Sequence, residues 1–194
     1  MKYTALQILA FAFMMTEALA EDTVKIHAPV TESFNCTEHW DGQLKSLGDA
    51  LGTDCVVQEF HQENGRMFMR SFKGEGFNNK DWYGYGKSVL APCDCEVVKV
   101  FTNAVTNLPG IMIPGMASHI IFEKPDGTNI VIAHVADIKV SKGDKVKAGE
   151  SVATIGNNGY SRNPHLHIAA WQNDTPMQIR FDQKTIDLQG RNNY

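Results

Sequence analysis

The sequence predicts a mainly β fold, an antiparallel β-sandwich with a short helical segment near its N-terminus, and three observations predict it. From Cys55 onward, short runs rich in Val, Ile and Phe recur along the chain. Between them stand Gly, Pro, Asn and Asp, the residues of turns, instead of helix-length connections. Helical periodicity occurs in one place only, where Leu44, Leu47 and Leu51 follow the i, i+3, i+7 spacing and Gly52 is placed to stop the helix.

In chain order, residues 24–28 form a strand-like run, and the Leu44–Leu47–Leu51 stripe gives the one short helix. Strands are then expected over residues 56–60, 67–72, 96–101, 119–123, 129–135, 151–155 and 165–171. Asn64-Gly65 and Pro125-Asp126-Gly127 are turn signals. A long loop over residues 102–117 carries Ile111, Met112, Ile113 and Met116, which suits a segment that packs over a surface or lines a groove. Trp82-Tyr83-Gly84-Tyr85 fits either a second groove wall or a core anchor.

The chain of 194 residues opens with a positive Met1-Lys2, an apolar stretch over 5–15 and a small-x-small Ala18-Leu19-Ala20 before Glu21. This is the tripartite pattern of a secretory signal peptide. The expected organisation is a signal peptide at 1–20, an N-terminal extension with its short helix at 21–54, a β domain at 55–183 and a C-terminal tail at 184–194, with export to the periplasm or the exterior after cleavage following Ala20. Cleavage removes Lys2 and Glu17, so the net charge stays at −4. That mildly acidic balance offers no electrostatic footprint for nucleic acid, and no later segment is apolar and long enough for a stable membrane span.

Cys36, Cys55, Cys93 and Cys95 all follow the signal segment, and in an oxidising compartment they pair. Three pairings are open. Residues i and i+2 of a strand lie about 6.5–7 Å apart, at the upper end of disulfide reach. The expectation is therefore two bridges tying the Cys36–Cys55 region onto Cys93-Asp94-Cys95. The spacings contain no C-x-x-C pair, which disfavours a four-cysteine zinc knot.

The chemistry concentrates in Asn163-Pro164-His165-Leu166-His167. On a strand, His165 and His167 project to one side while Leu166 enters the core. His134 ends the alternation Ile130, Ile132, His134 on another strand. Two imidazoles on one strand face can serve a metal with one ring and a proton transfer with the other. The segment 140–152 carries a V-x-x-G-D-x-V-x-x-G rhythm of tight turns shared by biotinyl and lipoyl carriers, but no modifiable lysine stands beside methionine in a hairpin.

The ordered set Leu90-Ala91-Pro92, Ala133-His134-Val135, Gly143-Asp144, Gly156-Asn157-Asn158-Gly159 and Pro164-His165-Leu166-His167 resembles the lysostaphin-type (LytM-type) zinc metallopeptidases over about residues 89–171. The resemblance implies a zinc metalloendopeptidase of the lysostaphin-type sandwich kind, acting on peptidoglycan crosslinks or a Gly-rich peptide. It implies His167 as a zinc ligand, His134 and His165 as the catalytic pair flanking the water, and one Zn²⁺ per chain. The alternative is a non-catalytic relative that binds peptidoglycan or a wall-hydrolase partner. The chain departs from the family at the H-x-x-x-D ligand motif. Ungapped alignment on Leu90-Ala91-Pro92 places Ser88 and Gly84 there, and sliding upstream offers Asp81 but Phe77. Asp81, with His61 or His119, is the candidate replacement, and a turn or capping aspartate is the other reading of Asp81.

Overall fold

The protein is described over residues 23–186 by a computed structural model. The signal peptide expected at 1–20 and most of the tail expected at 184–194 lie outside that range. In chain order the strands are β1 (Thr23–Ile26), β2 (Phe34–Glu38), β3 (Thr53–Val57), β4 (Glu59–Glu63), β5 (Arg66–Arg70), β6 (Ser88–Leu90), β7 (Cys95–Phe101), β8 (His119–Glu123), β9 (Asn129–Ala133), β10 (Val135–Ala136), β11 (Lys145–Val146), β12 (Ser151–Ile155), β13 (Leu166–Gln172) and β14 (Thr175–Phe181).

One large sheet runs in the order β1-β14-β13-β9-β8-β7-β11, and β3, carrying β2 on its outer edge, also pairs with β13. Every pairing in it is antiparallel except that of β1 with β14. A small sheet, β10-β12-β6, closes the other side. Between the two, Ile120, Phe122, Ile130, Ile132, Leu166 and Ile168 meet Val89, Val135, Val152 and Ile155 in one core. Burying each such side chain contributes about 1.5–3 kcal/mol. The turns follow from local chemistry. Asn64-Gly65 and Asn173-Asp174 take left-handed φ at both central positions of two-residue hairpins. At Pro125-Asp126-Gly127 the Gly127 amide donates to the Lys124 carbonyl.

Three expectations change. Among the described residues there is no α-helix, and the leucine stripe lies in irregular chain at Leu44 and in turns at Leu47 and Leu51, because Gly42, Gly48 and Leu51 each adopt left-handed φ and interrupt any helical run. The disulfides are local, Cys36–Cys55 and Cys93–Cys95, and do not tie the two regions together. Cys36 and Cys55 stand directly opposite each other on β2 and β3. Cys93 precedes its strand in a bend, which shortens the Cα separation from Cys95 to 5.3 Å and removes the obstacle a regular strand presents. Finally, the boundary at 54/55 runs through the middle of β3, so residues 23–54 belong to the same sheet as the rest.

Candidate metal centre

The two-residue period of the strands sorts side chains between the core and the opposite face of the large sheet. On β3, Thr53, Cys55 and Val57 are buried, so Asp54 emerges on the open face. On β13, Leu166 and Ile168 are buried in the core and His167 emerges. The β3–β13 register then sets Asp54 directly opposite His167. Continued across the sheet, the same row reads Thr37, Asp54, His167, Ala133, His119, Phe101. His39 lies just past the end of β2, two residues beyond Thr37, and turns back over this row.

His39, Asp54 and His167 bring one donor atom each to within 4.8 Å of one another. His167 Nδ1 is 2.9 Å from Asp54 Oδ1, and His39 Nε2 is 3.3 Å from Asp54 Oδ2. The far nitrogens face backbone: His167 Nε2 is 2.7 Å from the Gly48 carbonyl, and His39 Nδ1 is 3.0 Å from the Asp49 carbonyl. Both rings therefore have an acceptor at each nitrogen, whereas a neutral imidazole carries one proton. With that proton donated to the carbonyl, the nitrogen facing the carboxylate carries a second proton when the ring is charged and a lone pair when it is neutral. A cation shared by two nitrogens and one carboxylate oxygen satisfies all three, and this donor set suits zinc. Burial works to raise the Asp54 carboxyl, but the hydrogen bond from His167, the charges of His165 and His167 and the bond from His39 hold it well below the usual carboxylate range. Burial likewise opposes charge on His167, yet its bonds to Asp54 and Gly48 raise it above the ordinary imidazole value.

His134 and His165 lie side by side, ring centroids 4.5 Å apart. Nδ1–H of His134 donates to the Asn158 carbonyl and Nδ1–H of His165 to the Asn163 carbonyl, each at 2.8 Å. Each therefore presents an unprotonated Nε2, that of His165 lying 3.8 Å from Asp54 Oδ1. Burial, followed by the charge of His165, pushes His134 down to about 3, and burial also lowers His165. Both rings are neutral bases near neutral pH. His134 does not reach this position by continuing the Ile130, Ile132 alternation, since those side chains point into the core. The strand ends at Ala133, and His134 takes φ 63°, which swings its ring to the open face.

The structure gathers His134, His165 and His167 as the sequence indicates, and places the other three expected residues elsewhere. Asp81 sits in a capping turn, its Oδ2 accepting from the Asn78 amide at 3.0 Å. His61 is on the β4–β5 hairpin, packed edge-on against Phe68. His119 lines the groove but stands two strands from His167, about 10 Å across the sheet, stacked on Phe101 with Nδ1 on the Ala117 carbonyl. In their stead stand His39 and Asp54. They are separated by 15 positions and not by the four of H-x-x-x-D. The usable signal is Asp54 itself, a carboxylate alternating with Thr53, Cys55 and Val57.

The row forms the floor of a groove of ≈ 950 Å³. Leu44, Leu47 and Gly48 make one wall, and Met112, Met116 and Tyr160 the other, so the long loop over 102–117 lines the groove as expected. Trp82 and Tyr83 do not: Trp82 packs on Phe72 at 4.9 Å, and Tyr83 rests against the core.

The chain is 32% identical over 107 residues to a Haemophilus influenzae protein described as an uncharacterized metalloprotease, a match that takes in 55% of this chain and 19% of that one. The fold is similar to the catalytic domain of the prophage-encoded M23 protein EnpA from Enterococcus faecalis, in mutant form, at TM-score 0.50 and 20% identity over 78% of this chain and 94% of that one. It is similar also to a chain of the SpoIIQ–SpoIIIAH pore-forming complex, at TM-score 0.52 and 16% identity over 90% and 98%. At such identities these two likenesses speak for the fold alone. The model of Peptidase family M23 matches residues 81–179. Half of the sequence, including His134, His165 and His167, thus lies within that match, and the chain belongs to Peptidase family M23.

Proposed function

We propose that the chain is an exported zinc metalloendopeptidase acting on peptidoglycan crosslink peptides, with His39, Asp54 and His167 as the metal ligands and His134 and His165 as the catalytic pair. The observation that carries this reading is the shared Asp54 carboxylate, faced by one nitrogen of each of two rings whose other nitrogens stand on backbone carbonyls. Zinc bound there supplies Lewis acidity, polarising a carbonyl and making water acidic near neutral pH.

The chain's own groups supply the rest. His134 and His165 begin as acceptors, because each Nδ1 proton is committed to a carbonyl. Neither can donate to a developing oxyanion at the outset. The ring that takes the proton of the attacking water becomes an imidazolium, and its new Nε2–H can then support the oxyanion and protonate the leaving amine. Walls on two sides leave a channel across the strands that suits an extended peptide.

The test is zinc content together with release of new amino termini from purified peptidoglycan. One zinc per chain is expected, with hydrolysis abolished by chelation and restored by zinc. A wild-type protein that holds no zinc and binds peptidoglycan without cleaving it overturns the enzyme reading in favour of a binding module.

A further inference from the structure

The segment between His39 and Asp54 does more than connect them. Two consecutive residues in it, Gly48 and Asp49, turn their carbonyls onto two different rings, His167 Nε2 at 2.7 Å and His39 Nδ1 at 3.0 Å. The turn that presents them is closed by the Asp49 and Ala50 amides on the Ser46 carbonyl, and Ser46 Oγ–H donates to Asp49 Oδ2 at 2.6 Å. Gly52, at its end, leaves room for His167. A Cβ there would stand 2.9 Å from His167 Cε1 and 3.0 Å from the Asp49 carbonyl oxygen.

We propose that the Ser46–Gly52 turn is a positioning element that fixes the proton on both ring ligands, holding Nε2–H on His167 and Nδ1–H on His39 so that the opposite nitrogens face Asp54. The ring contacts stand on their own geometry. Their consequence for metal rests on His39, Asp54 and His167 being the ligands. Outer partners of metal-bound histidines typically change affinity by about 10–100-fold. Since the turn favours the metal-ready rings, metal must favour the turn by the same factor.

Ring ¹⁵N spectra of the metal-free full-length protein test the contacts. His167 Nε2–H and His39 Nδ1–H should both appear and exchange slowly. Absence of either, or exchange at the rate of exposed imidazole, overturns the proposal. For the metal, chelator competition should show zinc affinity reduced about tenfold or more in Gly52→Ala and several-fold in Ser46→Ala, with Ser46→Thr restoring it. Zinc should also slow tryptic cleavage at the exposed Lys45. Unchanged affinity in both Gly52→Ala and Ser46→Ala overturns the positioning role, and intact exchange protection of the β8 and β9 amides excludes global unfolding as the cause. A wild type with both ring protons held as stated but no zinc defeats the metallopeptidase reading while the ring assignment stands.

Discussion

Behind one wall of the groove Asn107, Asn157, Asn158 and Ser161 are buried, whereas Leu44 and Leu47 stand exposed on the other. In the first wall Asn107 Nδ2–H donates to the Gly159 and Ser161 carbonyls, both at 2.8 Å, and Asn157 Nδ2–H donates to Asn79 Oδ1 at 2.8 Å. Asn158 Oδ1 accepts from the Ser118 amide at 2.7 Å. Gly159 passes so close to Ala117 that a Cβ would meet its backbone at 2.6 Å. The second wall is closed mainly by backbone turns, Gln43 on Trp40, Asp49 and Ala50 on Ser46 and Gly52 on Asp49, with the Ser46–Asp49 side-chain bond beside them. His134 and His165 hang their Nδ1 protons on the first wall, while His39 and His167 hang theirs on the second. The rings proposed to exchange protons rest on a cross-linked amide network. Those proposed to hold a metal rest on a turn with fewer side-chain bonds, where a bound metal would add a further constraint.

The sharpest way to break this division is to remove what both sides share. Asp54→Ala should lower zinc affinity by more than about 100-fold and abolish hydrolysis, since removal of outer partners alone costs about 10–100-fold. Chelator competition and elemental analysis read it, and zinc retained at one per chain would show that Asp54 is not a ligand.

The next largest effect separates the two ring pairs. In His134→Ala and His165→Ala the hydrolysis rate should fall by about 10²–10⁴-fold while zinc stays bound, and in His167→Ala both should be lost. Zinc lost from His165→Ala would place that ring among the ligands.

A smaller effect compares the walls directly. Asn107→Ala leaves the buried Ser161 carbonyl without its donor, while the Gly159 carbonyl keeps the Ser161 amide, and should cost about 1–3 kcal/mol in urea unfolding. Leu44→Ser, on an exposed side chain, should stay within about 0.5 kcal/mol while raising KM for peptide. Equal stability losses would remove the distinction.

The smallest is a pH slope. His134 stays neutral in the folded chain down to about 3. The unfolded chain takes up that proton below about 6.5, so metal-free protein should lose stability as pH falls from 6.5, by at most about 1.4 kcal/mol per pH unit for this group. His165, also lowered, acts in the same direction, and His167, raised, acts against it. His134→Gln should flatten the urea midpoint between pH 6.5 and 5, and an unchanged slope would show that His134 is not the group responsible.

What could be read beforehand follows the regularity of the backbone. The strands at His119–Glu123 and Ser151–Ile155 fall where their alternating or continuous apolar runs indicate, and with them the Pro164-His165-Leu166-His167 face. Asp54 is not legible in linear spacing because sheet register sets it opposite His167, and His39 is not because it lies beyond the end of β2 and meets Asp54 only through its side chain. The helix expected at Leu44–Leu51 failed for a related reason. Three leucines at the right intervals satisfy a pattern, but Gly48 turns left-handed, and in doing so sets its carbonyl against His167. The compact H-x-x-x-D spacing points to Asp81, whereas 15 positions separate His39 from Asp54 and the β4–β5 hairpin lies between Asp54 and Ala91-Pro92.

His134 carries an obligation for anyone wishing to transplant this centre onto another sheet. Left-handed backbone at a non-glycine costs about 1–3 kcal/mol, and an idealised recipient strand would decline it. Grafted onto such a strand, the imidazole would sink among the counterparts of Ile130 and Ile132 and the open face would be left with an alanine. The portable unit is therefore not five side chains but five side chains and one reversed φ, together with the Asn158 carbonyl that receives the ring once it has turned.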